Sequence, residues 1–318
     1  MDATRRKAIV SAQESTVMTA PEAPAPSSRR YLIGGKDFLA RPLEPGLHVV
    51  ATPIGNLRDI TIRAIETLAA ADLVACEDSR VTRRLIDHFG LATRLAPYHE
   101  HNAAEMRPKL LARLAAGEAL ALVSDAGTPL VSDPGFKLVE ATREAGHPVI
   151  PVPGPSAPLA ALVAAGLPTD AFFFDGFLPV KTVGRRQRAK ALAGVPGSLV
   201  FFETGPRLAA SLADLAAELG PRAAAVCREL TKAHEEIRRG SLPDLAGHYA
   251  EAGEPRGEIV LVVGPPGPAA VPEAADVDAL LRAALAEGSV KDAAARIAEA
   301  TGLPRRDLYQ RALTLAKD

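Results

Sequence analysis

Four short stretches of small, turn-forming and acidic residues each follow an apolar run, and their residue types are those that hold polar ligands or move protons. Ala51-Thr52-Pro53-Ile54-Gly55-Asn56-Leu57-Arg58-Asp59-Ile60-Thr61 follows the run from Leu47. It is neither G-x-G-x-x-G nor a P-loop, since no Gly-Lys-Ser/Thr follows, and its plainer use is a strand-to-helix turn capped by Asp59. Ser124-Asp125-Ala126-Gly127-Thr128-Pro129-Leu130-Val131-Ser132-Asp133-Pro134-Gly135 follows Ala119 to Val123. Its small residues let a ligand approach the main chain, and Asp125 and Thr128 can bind an amine or hydroxyl. Ser132 or Asp133 ahead of Pro134 also reads as a helix cap. Val152-Pro153-Gly154-Pro155-Ser156-Ala157 pairs a cap at Ser156 with free amides for a ligand. Ala75-Cys76-Glu77-Asp78-Ser79-Arg80 sets two carboxylates beside an arginine, a pattern that serves acid–base catalysis or, structurally, a carboxylate paired with Arg and a Ser or Asp cap, Ser79 being the expected cap of the helix that stops at Gly90.

The elements that must position these stretches alternate. Strand patterns at 47–52, 73–76, 119–123 and 148–152 are separated by helical spacing, such as Ile62, Ile65 and Leu68. That alternation predicts an α/β fold with a mainly parallel sheet covered by helices, in which the loops after the strands share one edge. A helix opened by Ser156 ends at Gly166-Leu167-Pro168, and a second block begins near 169. Its strands at 171–174, 199–202, 222–227, 236–239 and 258–263 and helices at 206–219 and 242–250 predict an α+β domain with some antiparallel pairing. Gly264-Pro265-Pro266-Gly267-Pro268 then breaks the chain ahead of three helical patterns at 276–287, 289–300 and 304–316, which suit either a helix-turn-helix or an ordinary helical appendage. The expected organisation is a disordered tail at 1–44, an N-terminal α/β domain at 45–168, an α+β domain at 169–267 and a helical module at 268–318.

The 318 residues are 47% apolar and 24% charged, ordinary globular usage, with a formal net charge of −1 that excludes a bulk basic field. A nucleic-acid role must therefore rest on a local patch. Lys181, Arg185, Arg186, Arg188 and Lys190 form one, with no acid between Asp175 and Glu203; the alternative is a solvated basic helix. Two cysteines, Cys76 and Cys227, exclude a disulfide framework and suit a reducing cytoplasm. No apolar run reaches the ~18 residues that span a bilayer, and the seven histidines show no metal spacing, so neither a membrane nor a metal is expected.

In order along the chain, Thr52-Pro53-Ile54-Gly55-Asn56-Leu57, Glu77-Asp78-Ser79-Arg80, Ser124-Asp125-Ala126-Gly127-Thr128-Pro129, Ser132-Asp133-Pro134-Gly135, Pro153-Gly154-Pro155-Ser156-Ala157, Phe177-Leu178-Pro179, Arg228-Glu229-Leu230-Thr231-Lys232 and Gly257-Glu258-Ile259-Val260 resemble one family. It is the bacterial ribosomal RNA small-subunit methyltransferase I family, the 16S rRNA cytidine 2'-O-methyltransferases, within the tetrapyrrole methylase superfamily. The resemblance spans about residues 46–264 and continues weakly into the C-terminal module. Ser79, Cys227 and Phe202-Glu203-Thr204 look like local variants of its pattern.

The resemblance implies S-adenosylmethionine held in the cleft between two α/β domains, a homodimer, and methylation of a decoding-centre cytidine ribose in free rRNA or the assembled subunit. By motif position, the cofactor meets Thr52, Pro53, Asp125, Ala126, Gly127, Thr128, Ser156, Ala157, Glu203 and Leu230. A ribose hydroxyl needs a base to become a nucleophile, and Glu77, Asp78, Glu229 and Lys232 are the candidates. Arg185, Arg186 and Arg188 are the expected phosphate contacts. The alternatives are a methylase of a tetrapyrrole-like small molecule and a non-catalytic nucleic-acid binder. Against the first, porphyrinoid methylases carry a glycine-rich first loop ending in Gly-Asp where this chain has Thr-Pro-Ile-Gly-Asn; the second would bind RNA without taking up the methyl donor, which calorimetry with S-adenosylmethionine distinguishes.

Overall fold

The structure is a computed structural model and describes residues 29–267 and 274–316. Residues 1–28 of the expected tail lie outside the described residues. The remainder of that tail is not disordered: β1 (Arg30–Ile33) and β2 (Lys36–Leu39) form an antiparallel hairpin. Gly34 and Gly35, both at positive φ, make the two-residue turn that such hairpins favour, and Tyr31 is buried beneath it. Alternation was too short there to announce strands.

By packing, the chain divides into two compact units, and each is discontinuous. The first holds the described residues up to 51, then 61–125 and 133–153; the second holds 52–60, 126–132 and the described residues from 154 onward. This division differs from a boundary at 168.

The first unit contains β3 (Gly46–Val50), α1 (Ile62–Ala70), β4 (Leu73–Cys76), α2 (Ser79–His88), β5 (Leu95–Pro97), α3 (Ala103–Ala115), β6 (Ala119–Val123), α4 (Phe136–Glu144) and β7 (Val149–Val152). Its sheet is wholly parallel, in the order β5-β4-β6-β3-β7. Every residue of β4 and β6 is buried, which is why both read as unbroken apolar runs rather than alternating ones. The loops after β6, β3 and β7 thus leave three neighbouring strands.

Three caps differ from expectation. Thr61, not Asp59, caps α1, its hydroxyl accepting from the Ala64 N–H at 3.1 Å, while Asp59 lies in a 3-10 turn at Leu57–Asp59. Asp78, not Ser79, caps α2. Neither Ser132 nor Asp133 caps α4, which starts at Phe136 after Gly135.

The second unit contains α5 (Ala157–Ala165), β8 (Phe172–Phe177), α6 (Thr182–Leu192), β9 (Ser198–Thr204), α7 (Gly205–Leu219), β10 (Ala223–Arg228), β11 (Glu236–Ser241), α8 (Leu242–Ala252) and β12 (Glu258–Val263). The sheet order is β11-β10-β12-β9-β8, with only the β8–β9 pair parallel. Alternate residues sort onto two faces, as a period of two demands. Leu199, Phe201, Val226, Leu261 and Val263 join one core with residues of α6, α7 and α8. Val200, Ala225, Cys227, Val260 and Val262 join another with Ala161, Leu162 and Ala165 of α5. That second core explains the displaced boundary, because α5 covers the sheet that follows it. Finally, α9 (Ala274–Glu287), α10 (Val290–Thr301) and α11 (Arg305–Leu315) pack around their own core of Leu281, Ala294, Ile297 and Leu308.

Candidate active site

Three of the four stretches meet in the second unit. Thr52 and Gly127, 75 residues apart, form an isolated antiparallel bridge: the Thr52 N–H donates to the Gly127 carbonyl at 2.8 Å and the Gly127 N–H returns to Thr52 at 3.0 Å. The Thr128 hydroxyl donates to the Pro155 carbonyl at 3.1 Å, tying the second stretch to the third. Gly127 has a φ of 80°, and a Cβ there would press on Ile54 at 3.3 Å. Ala126 and Pro53 flank this bridge in sequence. Ser156 stands at the N-cap of α5 with no hydrogen bond from its hydroxyl to the helix, and Ala157 opens the helix, where amide donors lack intrahelical partners. Leu230 shares a core with Ile54, so the turn after β10 supports the first stretch from below.

That turn is held by charge. The Lys232 ammonium donates to Glu229 at 2.8 Å and to Glu258 at 3.0 Å, and the Glu258 N–H donates to Glu229 at 3.0 Å. The Lys232 stem crosses Gly55, where a Cβ would sit 2.5 Å from Lys232 Cγ. Hydrogen bonds from Lys232 and the Glu258 amide hold the Glu229 carboxyl below its usual range. Burial opposes the charge on Lys232, but its two carboxylate partners outweigh it and raise its pKa. Both groups are therefore anchors for the Gly55 turn and poor proton acceptors. Glu203 is committed too. Its buried carboxylate accepts from the Ser211 hydroxyl at 2.5 Å and the Thr204 N–H at 2.8 Å, with Arg207 at 3.3 Å.

The fourth stretch stands in the first unit with Asp125 and Asp133. The Asp78 N–H donates to Asp125 Oδ1 at 3.0 Å. Arg80 straddles the Asp78 carboxylate, closing to 2.6 Å, and these hydrogen bonds hold it down to about 2. Glu77 goes the other way. Burial, then the negative charges of Asp125 and Asp133, push its carboxyl up. Burial likewise raises Asp125 and Asp133, the latter against a hydrogen bond with Ser124. Among the described residues no group of His, Cys, Asp and Glu is arranged to hold a metal.

Among the described residues, four non-glycine residues occupy the left-handed region, two in the second stretch (Leu130, φ 73°; Ser132, φ 66°) and two in the β10 turn (Glu229, φ 51°; Thr231, φ 67°). Each costs about 1–3 kcal/mol and is kept only where the surroundings impose it, as at ligand clamps. Sequence reasoning had no signal for these, nor for the Lys232–Gly55 crossing.

The basic cluster of α6 is largely neutralised. Arg185 is buried, bound to Asp214 of α7 at 2.7 Å and to the Val180 carbonyl at 3.0 Å, so the expectation that it contacts phosphates is corrected. Arg186 pairs with Glu218 at 2.7 Å, and Arg188 pairs with Asp175 and lies over the Phe173 ring. The absence of acids between 175 and 203 hid these partners, which come from β8 and α7.

The family described as Tetrapyrrole (Corrin/Porphyrin) Methylases matches residues 46–246. The chain belongs to this methylase family. A second family, described as the RsmI C-terminal HTH domain, matches residues 271–316, which favours the helix-turn-helix alternative for α9–α11. Within the methylases, a protein of Mesorhizobium japonicum named Ribosomal RNA small subunit methyltransferase I is 56% identical over 89% of this chain and 97% of its own length. A protein of the same name from Escherichia coli O157:H7 is 48% identical over 84% of this chain and 94% of its own. The crystal structure of the methylase CbiF, a cobalt precorrin-4 methyltransferase, shares the fold with a TM-score of 0.53 at 20% identity, over 69% of this chain and 94% of that one.

Proposed function

We propose that this methylase transfers a methyl group to the ribose 2'-oxygen of a decoding-centre cytidine in small-subunit rRNA, as free RNA or in the assembled subunit. The coarser activity, S-adenosylmethionine-dependent methylation of ribosomal RNA, goes with the family and with relatives that are 56% and 48% identical over most of the chain. The observation that carries the reading is the three-loop junction of Thr52, Gly127, Thr128 and Pro155.

The residues of that junction suit the methyl donor. The Ser156 hydroxyl with the first amides of α5 suits a carboxylate, while Ile54, Gly127 and Leu230 are buried and hold the loops of the junction together. Thr52, Pro53, Asp125, Ala126, Thr128 and Ala157 complete the proposed cofactor set; the Glu203 carboxylate is engaged by Ser211 and Arg207 of α7. S-adenosylmethionine supplies an activated methyl on a sulfonium centre.

The protein must align the ribose oxygen and accept its proton. Glu77 is the proposed base, since its raised pKa makes it the best proton acceptor of the four candidates. Asp78, held at about 2 by Arg80, instead fixes the start of α2. Glu229 and Lys232 fix the Gly55 turn.

A homodimer is part of the proposal. β8 is the edge strand of its sheet and exposes Phe172, Phe173 and Phe177, with Val180 and Val183 exposed just beyond it. Such an apolar edge calls for cover by a second surface. A cytoplasmic setting suits an rRNA substrate; no helix among the described residues is long and apolar enough to cross a membrane.

Mapping methyl groups by mass spectrometry on 16S rRNA, from a strain lacking this protein and from its complemented parent, tests the reading. Loss of a single ribose methyl on a cytidine supports it, and an unchanged map refutes it.

A further inference from the structure

We propose that Arg83 and Arg84, on the exposed face of α2, grip the phosphates of the RNA strand flanking the methylated nucleotide. This rests on the rRNA reading above and gives it a binding surface that the α6 cluster does not supply.

Within the first unit, α2 begins two residues after Glu77, and its cap, Asp78, donates its N–H to Asp125. The start of the helix is thereby tied to the carboxylate set. Thr82, Leu85 and Ile86 turn inward; Arg80, Arg83 and Arg84, three and four residues apart, share the outward face. Arg80 is engaged by Asp78. Arg83 and Arg84 are exposed, and among the described residues neither forms an ion pair; Asp87, exposed one turn later, pairs with neither. The charge of Arg83 is felt by the Cys76 thiol at the end of β4, the strand from which Glu77 departs.

On a helix rising 1.5 Å per residue, Arg84 stands about 9 Å along the axis from the Asp78 cap, within reach of the nucleotides that flank one held at Glu77. The partner that two adjacent unneutralised guanidinium groups fit is a polyanion, whose phosphate oxygens match their paired donors. On α6, by contrast, the arginines would first have to leave Asp214, Glu218 and Asp175.

The test compares R83A/R84A, R83K/R84K and R186A/R188A with the wild type, measuring binding and methylation of rRNA and small subunits across a salt series. R83A/R84A is expected to raise Kd and KM for RNA about tenfold or more and to flatten the log–log salt slope by about 1.5, two contacts at roughly 0.7–0.9 each. Its kcat at saturating RNA and its affinity for S-adenosylhomocysteine by calorimetry should stay within about twofold. R83K/R84K should keep most of the slope, and R186A/R188A should leave it unchanged. An unaltered slope and KM in R83A/R84A overturns the grip, as does a fall in kcat at fixed KM. Loss of binding to assembled subunits alone, with free-RNA slope intact, would give the face to an acidic protein surface instead, and equally overturns it. A wild type that binds S-adenosylhomocysteine but neither binds nor methylates rRNA fails the rRNA reading itself, and the grip with it.

Discussion

At the scale of the residue, the carboxylates divide by their surroundings. Glu77 is raised by burial and by acidic neighbours, whereas Asp78 is lowered by Arg80. Replacing Glu77 with Gln should lower kcat by about 10²–10⁴ with KM for RNA little changed, and should remove the acidic limb of the pH–rate profile. Single-turnover methyl transfer checks this; a retained rate excludes Glu77 as the base. Asp133 carries a stability prediction. Its folded pKa lies above its unfolded one, so it favours the folded chain while protonated, and that contribution disappears as pH rises through the folded value. Asp133→Asn should therefore raise Tm at pH 8, by about 2–4 °C for each kcal/mol relieved, and the gain should vanish below pH 4. A difference in Tm that does not vary with pH would show that Asp133 is not held under burial strain. Glu77 and Asp78 were visible as a pair in sequence, but their order as bases was not, because it depends on Asp125 and Asp133, about 50 residues away.

At the scale of the element, strands and helices were legible wherever one period persisted. β6 and β12 are short apolar runs bounded by turns, and α7 keeps helical spacing over four turns. Caps were less legible, because Asp, Ser and Thr crowd each helix start and only the formed hydrogen bond separates Thr61 from Asp59 or Asp78 from Ser79. The α6 cluster shows the limit most clearly. Its charges were plain in the sequence, but their partners lie on α7 and β8. Arg185 and Arg186 are neighbours in sequence that ought to differ sharply in energetics. Arg185→Met leaves the half-buried Asp214 without its cation and empties a buried guanidinium site, and should cost about 3 kcal/mol. Arg186→Ala breaks a half-exposed pair and should cost about 0–1 kcal/mol. Denaturant melts of the two variants decide this, and equal losses would mean that Arg185 is not the structural member of the pair.

At the scale of the whole molecule, the sequence order of the elements concealed how the chain is divided. Linear reading assigned α5 to the strand that precedes it, because a strand and the helix after it usually cover the same sheet. Its small inward residues, Ala161 and Ala165, instead let it lie against Val200, Val260 and Val262. The turns 52–60 and 126–132 likewise pack with the second unit although both neighbouring strands belong to the first. A discontinuous unit leaves no composition shift to read, which is why a single boundary was the natural expectation. Association of two copies belongs to this scale as well. β8 departs from the alternation of its neighbours: its aromatic residues are exposed on both sides of the strand, and Val180 and Val183 extend the apolar surface. Neither valine belongs to the cofactor set or the acid cluster. The pair Val180→Glu and Val183→Glu should therefore convert a dimer in sedimentation equilibrium into a monomer, through like charges placed opposite one another in a two-fold interface. Far-UV circular dichroism should remain unchanged, since both side chains are more than two-thirds exposed. A wild type that sediments as a monomer, or a variant that remains a dimer, would show that the β8 edge is covered in some other way.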